Sequence, residues 1–307
     1  MAKTTYTETL LHDTDANFRS WATNLHNALI AVGLVQTSDT GQADFTTVAR
    51  PSAGLYVYKI YRFNDALQSA APVFLRVEYG TSATNGAGVR IGMGRGTDGA
   101  GNLTVTFSNA SNFSVGSSTA SITAGNSART WVCFKDGAFS LAWAADATGV
   151  GSAFRYIHTM DRTRDGAGVA NDEGLYYAVG PSNWAQNMWT HGWLGLKTGQ
   201  GSFGPTTNVS CWVPGNAGAT TFSNKVQAFK HFTLPQLERT HLSPLTVVGS
   251  EIGNVAVIDV EIFGSTHQYL SLGGYSTGGF STGYCTTGSG SNNNANAAHK
   301  PLILWED

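Results

Sequence analysis

Charge is the scarcest commodity in this chain. Only 12% of its 307 residues are Asp, Glu, Lys or Arg, about half the roughly 25% of an ordinary soluble domain. The formal net charge is −2 and Lys and Arg form no basic stretch. That speaks against a nucleic-acid surface, which needs a concentrated positive field. Cysteine is sparse too. Cys133, Cys211 and Cys285 are odd in number and widely spaced, so free, buried or half-buried thiols are expected, with neither a disulfide framework nor a zinc site. Long apolar runs are missing: none approaches the roughly 20 residues of a membrane span. Residues 1–5 lack a signal-peptide core. The expectation is a protein made and kept in a reducing cytoplasm, with no membrane insertion.

Glycine and aromatic residues fill the space that charge leaves. There are 37 Gly, and aromatics reach 11%, a composition of many turns and many strands. The fold class expected is mainly β: antiparallel sandwich or barrel-like sheets, one N-terminal amphipathic helix over about 15–33, and long Gly/Ser/Asn-rich loops. The helix is read from Phe18, Trp21, Leu25, Leu29 and Val32, which fall at steps of three and four and so share a face. Asp15 is the expected N-cap and Gly33 the C′ glycine. The stripe must be buried on the chain's own sheet or on a neighbouring subunit.

Strands are expected at 55–63, 73–79, 89–93, 103–107, 130–134, 139–143, 154–159, 175–179, 226–232, 255–263, 269–272 and 302–305. Asp136-Gly137 reads as a hairpin turn, the glycines of 92–101 as a turn, and 165–174 as part of a solvated hairpin loop. The weak divisions are 1–35, an arm and helix; 36–125, a first β region; and 126–307, a second one. One domain is the alternative. Segments 180–218, rich in Trp, and 273–298, rich in Gly, read as large loops.

Catalytic patterns fare badly. Gly274-Tyr275-Ser276-Thr277-Gly278 and Gly279-Phe280-Ser281-Thr282-Gly283 both match G-x-S-x-G. A nucleophile elbow needs a helix after its serine, whereas Gly, Ser, Thr and Asn follow here, all poor helix formers. No Asp or Glu separates Ser276 from His299. The pattern is an aromatic–small–small–Gly repeat. Asp161, Asp165, Asp172 and Glu173 are the densest carboxylates. Arg162 and Arg164 alternate with the first two and are expected to pair with them, leaving a turn or a weak calcium loop ahead of a glycosidase dyad. The eight histidines show no ligand spacing. No cofactor, metal site or catalytic residue is expected.

Residues 174–237 and 262–305 hold no Asp or Glu. Aromatics in a charge-free setting suit a contact surface, so Trp184, Trp189, Trp193, Trp212, Tyr275, Phe280 and Tyr284 are the contact candidates. Phe18, Trp21, Leu25 and Leu29 are the candidates for an assembly helix.

One stretch is more specific. Residues 17–81 carry an F-R-x-W helix ending in "GLVQTSDTGQ", then "TTVARP", "YRFND" and "APVFLRVEYGT"; "DRTRDGAG" at 161–168 is a second block of the same kind. These blocks resemble virion structural proteins of tailed bacteriophages. The resemblance implies a non-enzymatic component of a phage particle, in the tail, baseplate or fibre, assembled in the host cytoplasm. Its implied partners are copies of itself and other virion proteins; a host-surface glycan joins them if the virion protein is also a receptor binder. Two alternatives stand beside it, a carbohydrate-binding receptor module and a capsid decoration protein.

Overall fold

The computed structural model describes residues 2–81, 86–106, 113–115, 127–145, 155–165, 167–180, 190–196, 202–203, 210–211, 227–232, 245–248, 256–262, 265–271 and 299–307. In chain order the elements are β1 (Lys3–Thr9), α1 (Asp15–Ala31), β2 (Val35–Gln36), β3 (Tyr56–Arg62), β4 (Phe74–Thr81), β5 (Ala87–Thr97), β6 (Leu103–Thr106), β7 (Phe113–Val115), β8 (Ser127–Lys135), β9 (Ala138–Ala145) and β10 (Arg155–Arg164). They continue as β11 (Ala170–Gly180), β12 (Thr190–Gly195), β13 (Ser202–Phe203), β14 (Ser210–Cys211), β15 (Gln227–Phe232), β16 (Leu245–Val248), β17 (Ala256–Ile262), β18 (Ser265–Ser271) and β19 (His299–Leu304).

The strands form three antiparallel sheets. The first runs β1-β8-β9-β10-β11-β12-β13, the second β2-β3-β4-β5-β6 with β7 also on β5, and the third β14-β15-β16-β19-β18-β17. The mainly β architecture with one N-terminal helix is therefore present. β1 leaves the N-terminal arm to pair with β8, from Lys3↔Cys133 to Thr9↔Ser127.

The helix lies where the first two sheets meet. Trp21 sits 6.0 Å from Trp143 of β9 and 6.1 Å from Tyr79 of β4. Phe18, Trp21, Leu25 and Leu29 are all buried, in one core with Phe63, Leu75 and Ile91 of the second layer and Val132, Phe139 and Leu141 of the first. Each such side chain contributes about 1.5–3 kcal/mol. The stripe proposed to hold an assembly is thus covered by this chain's own sheets. The N-cap is Thr14, whose hydroxyl accepts from Asn17 N at 3.2 Å, and not Asp15. Asp15 Oδ1 instead accepts from Arg50 N at 2.9 Å. Gly33 takes φ +102 at the end of the helix.

The third sheet is tied to the first by the residues after β19. Lys3 Nζ lies 3.2 Å from Asp307, Lys135 Nζ 3.4 Å from Glu306, and His267 Nδ1 2.9 Å from Glu306 Oε1. Cys133, a buried free thiol, points its sulfur at Glu306 O. Burial pushes that thiol up to about 11, so it stays protonated and unreactive at neutral pH.

Candidate functional site

Six of the aromatic contact candidates, Trp184, Trp189, Trp212, Tyr275, Phe280 and Tyr284, lie outside the described residues, as do Ser276, Ser281 and the whole 273–298 segment. Trp193 is placed: it stands in β12, opposite Tyr176 of β11 and Phe203 of β13. The 180–218 segment, expected as one loop, contains β12, β13 and β14. The β11 edge offers unpaired backbone, and Thr190–Gly195 pairs with it; β13 then pairs with β12, and β14 with β15 of the third sheet.

The "DRTR" residues are no solvated loop. β10 runs on to Arg164 and β11 starts at Ala170, leaving a short turn capped by Asp165, whose Oδ1 accepts from Ala167 N and Val169 N. Asp161 and Arg162 are fully buried and Arg164 nearly so. Arg164 pairs with Asp161 at 2.9 Å, as expected. Arg162 does not pair with a neighbour in sequence. It reaches the β3–β4 connection and binds Asp65 through Nε at 2.6 Å and Nη2 at 3.0 Å, while Nη1 donates to Ala71 O at 2.8 Å. A buried charge is tolerated only with such complete pairing. Asp65 and Asp161 are each paired with an arginine, and Asp165 is engaged by the backbone of the turn.

A cleft of about 850 Å³ opens beside them. Its walls include Val32 at the end of α1, Asp65, Phe134 and Asp136 from the β8–β9 hairpin, and Arg164 and Val169. Asp136 and Gly137 both take positive φ, +47° and +80°, the conformation of a two-residue hairpin turn. The charged groups deepest in the wall, Asp65 and Arg164, are those already engaged.

A second cluster joins helix and sheet. His26 Nδ1 lies 2.8 Å from Tyr61 Oη, which lies 2.7 Å from Tyr79 Oη. Burial, with the charge of Lys59 adding to it, lowers His26 to about 4, and burial pushes both phenols up. Lys59 is itself buried, with Nζ 4.9 Å from the centre of the Phe45 ring and 3.4 Å from Gln36 Oε1, and its pKa is lowered by burial. Among the described residues no carboxylate hydrogen-bonds to the His26–Tyr61–Tyr79 chain. The chain satisfies buried hydroxyls between α1 and the second sheet.

The third cluster lies on the opposite face of that sheet. Period-two alternation puts Tyr56 and Tyr58 of β3, Arg76 and Glu78 of β4, and Arg90 of β5 outward, in the register Tyr56↔Gly80↔Gly88 and Tyr58↔Glu78↔Arg90. The Tyr56 ring lies on a glycine floor: a Cβ on Gly80 would come 2.5 Å from its Cδ1, and one on Gly88 2.8 Å from its hydroxyl. Arg90 stacks on this ring at 3.7 Å, and Arg76 stacks on Tyr58 at 4.1 Å. Tyr58 donates to Thr40 O at 3.1 Å, and Arg76 Nη1 to Gly101 O at 3.1 Å. Glu78 sits between the arginines, 3.2 Å from Arg76 Nε and 4.0 Å from Arg90 Nη1. The former contact is ionic, at an angle that makes no hydrogen bond. The glycines of 92–101 belong largely to this face, since β5 extends to Thr97 and only residues 98–102 turn. This arrangement was missed in the sequence, although the alternating strands at 55–63 and 73–79 and the arginine inside 89–93 carry its signal.

The chain matches no protein-family model, no curated protein and no solved structure.

Proposed function

We propose that the chain is a non-enzymatic structural component of a tailed-phage virion, in the tail, baseplate or fibre. It acts through contacts with copies of itself and with other virion proteins, and is assembled in the host cytoplasm. One observation supports this reading above the rest. The two blocks that resemble virion proteins are far apart in sequence, yet they meet as one physical unit. "YRFND" carries the end of β3 into the β3–β4 connection at Asp65, "DRTRDGAG" begins in β10 with Arg162 among its residues, and Asp65 and Arg162 form the buried bidentate pair. The F-R-x-W helix and the "APVFLRVEYGT" strand supply much of the core around it. The blocks that carry the likeness are thus the scaffold, which suits a protein whose work is to hold a shape. The low charge leaves much of the remaining chain to Gly, Ser, Thr, Asn and aromatic residues, which suits subunit contact.

The test is gold-labelled antibody against the protein on intact particles from a producing culture, viewed by electron microscopy. Label at the tail or its tip is the expected result. Label over the head would move the reading to capsid decoration, and particles without label would overturn it.

A further inference from the structure

The outer face of the second sheet holds two guanidinium groups whose planes are fixed and whose donor edges are not used up. Arg90 is the clearer case. Its plane is set by the Tyr56 ring at 3.7 Å, and that ring is set by Gly80 and Gly88 beneath it. Glu78 Oε2, at 4.0 Å, is beyond hydrogen-bond range. Among the described residues no acceptor meets any N–H of Arg90, and its Nε is buried without a partner. Arg76, diagonal to it across the ladder, is fixed by Tyr58 and by Gly101 O. Both side chains remain about 30% exposed, at 31% and 28%. The Tyr56 hydroxyl lies alongside with no hydrogen-bond partner among the described residues.

We propose that this face binds a carboxylate-bearing glycan. Arg90 takes a sugar carboxylate on its open N–H edge, Arg76 takes the next acidic or hydroxyl group along the chain, and the Tyr56 hydroxyl bonds a ring hydroxyl. A planar, pre-oriented guanidinium is the group best matched to a carboxylate, which it holds through two parallel hydrogen bonds. Its stacking removes the rotamer entropy that a free arginine loses on binding. The site extends over three strands, which a polymeric anion spans and a small free anion does not. A protein partner would need a buried apolar or aromatic anchor. The central rows Tyr56–Gly80–Gly88, Tyr58–Glu78–Arg90 and Ile60–Arg76–Gly92 present none, because both tyrosine faces are covered and Ile60 is buried. Glu78 is the built-in competitor. Its carboxylate stands between the two arginines and satisfies neither fully, so removing its charge frees both for ligand. The proposal does not depend on the virion reading.

The test is calorimetric titration of the full chain with an oligogalacturonate, with a neutral malto-oligosaccharide of equal length as control. The acidic oligomer is expected to bind, more weakly as salt rises, and the neutral one not to bind. Arg90→Gln and Arg90→Lys should each weaken binding about tenfold or more, because lysine keeps the charge but loses the planar fork. Arg90→Lys, checked by its melting curve, serves if Arg90→Gln folds poorly. Glu78→Gln should tighten binding several-fold, a gain that a purely structural ion cluster does not produce. Absence of binding at millimolar oligogalacturonate, or binding indifferent to Arg90→Lys, would overturn the proposal. Equal affinity for a poly-glutamate peptide would also overturn it, in favour of an acidic protein partner.

Discussion

Breaking the Arg162–Asp65 pair should cost more than any surface ion pair, and the cost should depend on which partner is removed first. Arg162 is fully buried and Asp65 nearly so. Arg162→Met deletes three hydrogen bonds and strands a carboxylate and the Ala71 carbonyl in the core. Loss of one partner from a buried pair costs about 3–5 kcal/mol. At roughly 2 °C per kcal/mol for a chain of this size, the melting temperature should fall by about 6–10 °C. Asp65→Asn then discriminates between causes. It keeps an Oδ1 acceptor for Leu67 N, which Asp65 now bonds at 3.2 Å, but carries no charge. In the native background it should destabilise the protein. In the Arg162→Met background it should restore about 2 kcal/mol, because it removes the unpaired charge. The residual deficit belongs to the Ala71 carbonyl, worth about 1–3 kcal/mol. Urea unfolding of the native protein, both single variants and the double variant closes the cycle. If Asp65→Asn were destabilising in both backgrounds, the stranded-charge reasoning would be refuted.

Three further outcomes are expected. Val105 holds φ +48 while 61% exposed, a left-handed conformation costly for a β-branched residue, so Val105→Gly should raise stability by about 1 kcal/mol in urea unfolding; a loss would show that the valine side chain earns its strained backbone. Gly80→Ala would place a Cβ 2.2 Å from Leu55 O and 2.5 Å from the Tyr56 ring, and should destabilise the protein by about 1–3 kcal/mol while leaving a folded, cooperative melt; an unchanged melting temperature would contradict the glycine floor. Burial lowers His12 and His26 to about 4, so between pH 6.5 and 4 the unfolded chain binds protons that the folded chain refuses. Stability should therefore be full above pH 6.5 and fall as pH drops to 4, with a slope of at most about 1.4 kcal/mol per pH unit per histidine, and His12→Gln with His26→Gln should flatten that slope.

Much of the fold was legible because it rests on local periodicity. The spacing of Phe18, Trp21, Leu25 and Leu29 sets a helix whatever it packs on, and the observed Asp15–Ala31 follows it. The 55–63 and 73–79 alternations appear as Tyr56–Arg62 and Phe74–Thr81. The failures share a physical origin. The N-cap moved one residue because Thr14 reaches Asn17 while Asp15 is drawn away by Arg50, a contact between distant segments. β10 was read too short because Asp161 and Arg162 look like solvated charges. Their burial depends on Asp65, which lies far away in sequence and carries no mark of the pairing. β1 shows no apolar alternation in Lys3–Thr9 and is a strand because β8 templates it. The Tyr–Arg–Glu face was half legible: alternation gives the side chains, but only register puts Arg90 over Tyr56.

The clamp around Lys3 has a consequence for the order of folding. Lys3 sits opposite Cys133 in the ladder and bonds the Trp305 carbonyl across 302 positions. At synthesis rates of 5–20 residues per second, β1 waits on the order of 10 s for β8, and a little over twice that in all for the residues that lock Lys3. α1 and β2–β5 are complete long before then, so the helix has half of its core on hand while β1, the outer strand of the first sheet, still has no neighbour to pair with. β1 is made before β2–β19 yet is among the last strands to be secured, and contacts of such separation form slowly relative to the local hairpins.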